Sequence, residues 1–172
     1  MNLFKRLFVR DDDRAPVRPL YAAVAAQARQ PHWYIEGEVP DTVDGRFEMV
    51  TVILALVLIR LDGLGEAAAA PAALLAEVFV EDMDGQLRQL GMGDVVVGKH
   101  IGKMMSALGG RLGAYRAGFA GDAPISEALE RNLYAGSPPN AAAITHVEAS
   151  ARTVLDGLNQ RSLEMLLAGN IA

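Results

Sequence analysis

The chain has 172 residues, 51% of them hydrophobic, with 16 Lys and Arg against 21 Asp and Glu, a formal net charge of -5 and no cysteine. Its mean hydropathy is +0.18, and that length and apolar content suit one domain with a real core. The acidic balance argues against a nucleic-acid protein, which needs a basic face for phosphate, and the lack of Cys excludes disulfides, a thiol nucleophile and Cys-ligated iron-sulfur or zinc.

Residues 1–10 place Leu3, Phe4, Leu7 and Phe8 on one helical face with Lys5, Arg6 and Arg10 around it. Such a segment either rests peripherally on an anionic membrane surface or docks on its own domain. It has no apolar core or small-residue cleavage site of a secretory signal. Residues 11–19 combine a charge run with Pro16 and Pro19 and read as a linker. The division expected is therefore a tail and linker over 1–19 and a helical domain over 20–172.

Nearly all of that domain reads as helix. A first helix is expected over 20–28, ending before Pro31. Residues 32–40, bracketed by prolines, read as extended or irregular. After N-cap candidates at 41–44, a second helix is expected over 45–61. It contains the longest apolar run, residues 49–59, which is closed by Glu48 and Arg60 and is far short of the roughly 20 residues a bilayer crossing needs. This helix is apolar nearly all round, which implies either central burial or a face left open as a binding groove.

A third helix over 68–90 carries Leu75, Phe79, Met83, Leu87 and Leu90 on one stripe. A fourth over 94–120 carries Ile101, Met104, Met105, Leu108, Leu112, Tyr115 and Phe119 on its apolar face. A short helix over 125–134 and a last one reaching Leu167 complete an all-α, single-domain irregular bundle of about six helices, with no strand.

On the fourth helix Gly98, Gly102, Ser106 and Gly110 recur every four residues, with Gly109 and Gly113 on an adjoining row. Each interior Gly costs about 1 kcal/mol relative to Ala. The offset is either close approach of a neighbouring helix within the bundle or a groove for the helix of a partner or substrate.

The stretch 82–99 packs three carboxylates, two cations and four glycines. Its Gly93 to Lys99 portion imitates a nucleotide-binding loop. The preceding segment is helix rather than strand, His100 stands where a Mg²⁺-holding Ser or Thr belongs, and Val95, Val96 and Val97 disfavour the left-handed turns of a phosphate nest. No calcium-loop pattern follows Asp82 and Asp84. The stretch reads instead as a corner between two helices: Asp84 pairs with Arg88 one turn on, Gly91 and Gly93 make the turn, and Asp94 caps the next helix. His32, His100 and His146 are far apart and assemble no triad or metal set. A non-enzyme with no cofactor and no metal is the reading.

The motif from Val39 to Met49, followed by Asp82-Met83-Asp84 with Leu87-Arg88, Gly91-Met92-Gly93-Asp94 and Val97-Gly98-Lys99, resembles the ubiquinol-cytochrome c chaperone family. Leu20, Tyr21, Val24, residues 27–29, Pro31 and Tyr115 fit the same pattern, so the likeness runs over about 20–134. It implies an all-α chaperone that binds newly made cytochrome b and assists biogenesis of ubiquinol-cytochrome c reductase. Without an Arg- and Ser-rich transit segment the chain looks like the bacterial form, placed in the cytoplasm and peripheral to the inner membrane. Ile53 and Ile59 stand where relatives often carry His and a second Arg.

A client's apolar helices suit a small-residue groove with adaptable Met walls. On this reading Phe47, Met49, Val50, Leu54, Met83, Leu87 and Met92 form or border the client surface. Arg46, Asp82, Asp84, Arg88, Gly91, Gly93, Asp94, Gly98 and Lys99 hold the corner in shape. The partners implied are cytochrome b or another apolar membrane-protein client and a second assembly factor, with no nucleic acid. The alternative is a non-catalytic helical scaffold for a soluble partner, which a fully closed bundle would favour over an exposed apolar patch.

Overall fold

The computed structural model describes residues 12–89, 94–136 and 139–171, with side chains excepted at 87, 94–105 and 107. Among these residues there are eight α-helices and no strand: α1 (Arg18–Ala28), α2 (Pro31–Ile35), α3 (Val43–Gly63), α4 (Ala69–Gln89), α5 (Asp94–Ala120), α6 (Ile125–Asn132), α7 (Ala141–Asn159) and α8 (Leu163–Leu167). The all-α bundle agrees with the sequence reading, and two local differences raise the helix number. Pro31 starts α2 instead of preventing it, because the missing N–H of a first-turn Pro is one that a helix leaves unbonded anyway. The last predicted helix divides in two, because Ser162 caps a new helix by accepting from the Met165 N–H at 3.2 Å.

The centre of the bundle is α3, which packs against α1, α4, α5 and α7. Every residue from Met49 to Leu58 is buried, the outcome expected of a helix with no polar face. Fully burying each large aliphatic side chain is worth about 1.5–3 kcal/mol. Thr51, a polar residue within this run, satisfies its hydroxyl by donating to the Phe47 carbonyl at 3.0 Å.

The start of α3 is fixed twice. Thr42 Oγ1 accepts from the Gly45 N–H at 3.1 Å, and Gly45 is pressed so close to the chain that a methyl group there would lie 1.9 Å from the Pro40 carbonyl oxygen. The entry segment is held equally firmly. Trp33 of α2 is wholly buried, and its indole donates to the Gln27 carbonyl at 2.8 Å while Tyr34 donates to the Ala28 carbonyl at 2.9 Å. Both bonds fold α2 back on the end of α1.

Residues 12–17 lie against α4: Val17 is buried, and Arg14 meets Glu77 at 3.1 Å and Glu81 at 3.5 Å. Arg18 and Pro19, read as linker from the sequence, open α1. The amphipathic segment 1–10 lies outside the described residues. No helix among the described residues is long and apolar enough to cross a membrane.

Candidate functional site

Beneath the predicted corner, the C-terminal part of α4 is anchored to α1. Tyr21 donates to Asp82 Oδ2 at 2.7 Å, and Gln86 donates to the same oxygen at 2.9 Å. Burial, followed by the bond to Asp82, drives the Tyr21 phenol far above its ordinary range. Asp84 and Arg88 pair at 2.7 Å across one helical turn, and Arg46 is tied to Asp41 at 2.5 Å. Gly91 and Met92 and Gly93 fall outside the described residues, as do the side chains of Leu87, Asp94 and Lys99. Asp94 is the first residue of α5, which also takes in Gly98 and Lys99.

Most of the described side chains assigned to the client surface are core. Met49 and Leu54 are 0% exposed, and Val50 and Met83 no more than 7%. Met49, Val50 and Leu54 are taken up by α3's contacts with the four helices around it, and Met83 is buried on α4. Phe47 differs: it is half-buried, its ring lies 5.8 Å from that of Phe79, and the Arg111 guanidinium stands over its face at 5.9 Å.

The described part of the glycine rows of α5 departs from the packing explanation, while the surroundings of Gly98 and Gly102 lie outside the described residues. Ser106, Gly109, Gly110 and Gly113 are exposed, and a methyl group on any of the three glycines would meet nothing within 4 Å. Among the described residues no neighbouring helix comes within packing distance of these three glycines. The close approach occurs further along, at Gly118, where a methyl would come within 2.6 Å of Ile125 on α6. A groove of about 380 Å³ adjoins α5, lined by Leu58, Leu61, Ala68, Ala69, Ala72 and Leu112, with Asp62, Gly65, Glu66 and Arg116 also at its walls. Arg116 and Asp62 pair at 3.2 Å.

Between α3, α5 and α6 sits a polar cluster that sequence reasoning missed. Arg111 donates from Nη2 to Glu48 Oε1, both side chains being mostly buried at 19% and 13% exposure. Tyr115 is fully buried beside them. Glu48 Oε2 and Arg111 Nε are buried without a hydrogen-bond partner, and the Asn132 side chain faces the Tyr115 hydroxyl. Burial pushes the Glu48 carboxyl up to about 7 against the opposing pull of Arg111. The available signal was an isolated charge at the edge of each apolar stretch, since a buried charge requires a partner. Which partner, 63 positions away, was not legible.

The fold also joins two of the scattered histidines. His32 Nδ1 and His146 Nε2 are 3.0 Å apart, and burial, then the neighbouring His146, lowers the His32 pKa. Among the described residues no group of three or more His, Cys, Asp or Glu is placed to hold a metal. What the region offers among the described residues is a buried core under one open helix face.

The sequence profile of the ubiquinol-cytochrome C chaperone family matches residues 36–172. The crystal structure of the Cbp3 homolog from Brucella abortus is similar over 99% of this chain and 96% of that one, at 34% identity and a TM-score of 0.79. No curated protein matches. The chain belongs to the ubiquinol-cytochrome c chaperone family.

Proposed function

We propose that this family member is a non-catalytic assembly chaperone that holds apolar transmembrane helices of cytochrome b during biogenesis of ubiquinol-cytochrome c reductase, acting in a bacterial cytoplasm and peripherally at the inner membrane. The observation that carries the reading is the open face of α5. Ser106, Gly109, Gly110 and Gly113 are exposed, and among the described residues a methyl group on any of the three glycines meets nothing within 4 Å, next to the groove floored by Leu58, Leu61 and Leu112. Small residues let a second helix approach closely enough for backbone-to-backbone packing, the mode by which apolar membrane helices associate.

The client surface then lies on α5 and the groove, bordered by Phe47 and by the corner that contains Leu87 and Met92. Met49, Val50, Leu54 and Met83 contribute from beneath, by keeping α3 rigid under α5. Arg46, Asp82, Asp84 and Arg88 keep the corner in place, a role shared with Gly91, Gly93, Asp94, Gly98 and Lys99. Residues 1–19 would serve as a tail and linker that brings the 20–172 domain to the membrane surface, and a second assembly factor would share the client.

The test is a deletion strain assayed for cytochrome b and for assembled reductase, with pull-down of the newly made client from the complemented strain. The proposal expects both proteins to fall and the client to be captured. Normal reductase in the deletion strain would leave the scaffold reading, with a soluble partner, in its place.

A further inference from the structure

The groove of about 380 Å³ beside α5 is lined by the apolar Leu58, Leu61, Ala68, Ala72 and Leu112, a surface that gains from any apolar side chains that cover it. The chain carries such a cover within reach. Leu3, Phe4, Leu7 and Phe8 share one helical face. The described residues begin at Asp12, and they begin on α4, the helix that contributes Ala69 and Ala72 to the groove. There Arg14 meets Glu77 at 3.1 Å, and Arg18 holds both Asp12 at 2.8 Å and Glu81 at 3.2 Å.

The lengths agree with this placement. From Ala72 to Glu77 is about 8 Å along the helix axis, and the backbone from Phe8 to Asp12 spans up to about 13 Å when extended. Phe8 therefore reaches the groove, and residues 1–7 supply the length to lie along it. No charged residue stands between Glu66 and Glu77, so the path over α4 strips no ion of its water. Charge favours the same partner. Lys5, Arg6 and Arg10 are cations, while the groove carries Asp62 and Glu66 against the one cation Arg116, which pairs with Asp62 at 3.2 Å. Tethering at Asp12 sets an effective concentration on the order of millimolar, enough to fill even a weak site.

We infer that residues 1–10 dock on this groove of their own chain, with Leu3, Phe4, Leu7 and Phe8 against Leu58, Leu61 and Leu112 and the cations toward Asp62 and Glu66, and cover it until a client displaces them. The docking stands by itself, and its role as a cover rests on the proposed client surface.

The full-length protein, with ¹³C-labelled Leu and Ala methyl groups, is given a nitroxide at Asn2→Cys, a unique thiol because the chain has no cysteine. The methyl signals of Leu58, Leu61, Leu112 and Ala72 are expected to broaden strongly while Ala143, at the start of α7, stays sharp. Phe4→Ser with Phe8→Ser is expected to reduce that broadening about tenfold or more, through the loss of two buried aromatic side chains. The same double variant is expected to bind an amidated Leu- and Ala-rich helical peptide about tenfold more tightly than the natural chain, since no cover competes. Broadening that is even over the surface, or that survives the two substitutions, overturns the docking. So does broadening of a labelled chain by an unlabelled, nitroxide-bearing copy, which assigns the segment to a second molecule. Equal peptide binding by variant and natural chain overturns the cover. A peptide that binds neither, with the broadening intact, sinks the client surface and leaves the docking in place.

Discussion

Helices α3 and α5 are both long and both unusual in composition, and the fold uses them in opposite ways. In α3 the apolar residues extend around the whole circumference and the bundle closes over them, from Met49 to Leu58 without a gap. In α5 the inner side, with Leu108 and Tyr115, is buried, while Ser106, Gly109, Gly110 and Gly113 look outward. The hydrophobic effect explains the first arrangement directly. It does not explain the second, because exposed glycines in a helix cost backbone entropy and bury nothing. A greasy helix is therefore the weaker indicator of a binding surface, and a helix carrying an unexplained local cost is the stronger one.

The largest effect that tests this contrast is Leu54→Ala. With Leu54 fully buried, the variant should lose about 2–5 kcal/mol in urea unfolding, and any loss of client capture should follow the loss of fold. A cost below about 1 kcal/mol, the size of an ordinary surface change, would mean that α3 is not the closed core.

Next in size is the pH response of Glu48, the polar contact between the two helices. Its carboxyl titrates near 7 in the folded protein against an ordinary 4.5, so between those values the unfolded state binds fewer protons than the native one. Stability should therefore fall as pH rises from 4.5 to about 7 and level off above, by on the order of 3 kcal/mol at about 1.4 kcal/mol per pH unit. Glu48→Gln should remove that slope in thermal melts, whatever it does to the absolute Tm through the stranded Arg111.

A smaller effect, opposite in sign at two places along α5, sharpens the comparison. Gly109→Ala and Gly113→Ala should each raise stability by about 0.5–1 kcal/mol, since the added methyl meets open space. Gly118→Ala should lower it, because the methyl runs into Ile125. Destabilisation at Gly109 or Gly113 would revive the internal packing explanation.

The smallest response belongs to His32. Its lowered pKa means that stability is fully present above the ordinary value of 6.5 and declines as pH falls through the lower folded-state value. His32→Gln should flatten that acid limb and leave client capture intact, since the His32–His146 contact touches neither the face of α5 nor its groove.

What the sequence made legible follows from what is local. The all-α class and the Asp84–Arg88 pair rest on periodicity and on one-turn spacing. Where several local rules competed, the reading slipped: Pro31 served as a helix starter, and Ser162 opened α8 within what looked like one helix. Met49, Val50, Leu54 and Met83 look the same in sequence whether they meet a client or one another, because apolar character does not state which surface will cover it. The direction of the glycine rows was undecidable for the same reason. Glu48 with Arg111 and His32 with His146 are separated by 63 and 114 positions, and only tertiary packing joins them.

The most direct measurement places a photo-crosslinking residue at Ser106 or Gly113 on α5 and, for comparison, at the exposed apolar positions Ile35 on α2 and Met165 on α8, in cells making cytochrome b. The account predicts cytochrome b adducts from the α5 positions and none above background from Ile35 or Met165. Adducts concentrated at Met165, with α5 silent, would contradict it.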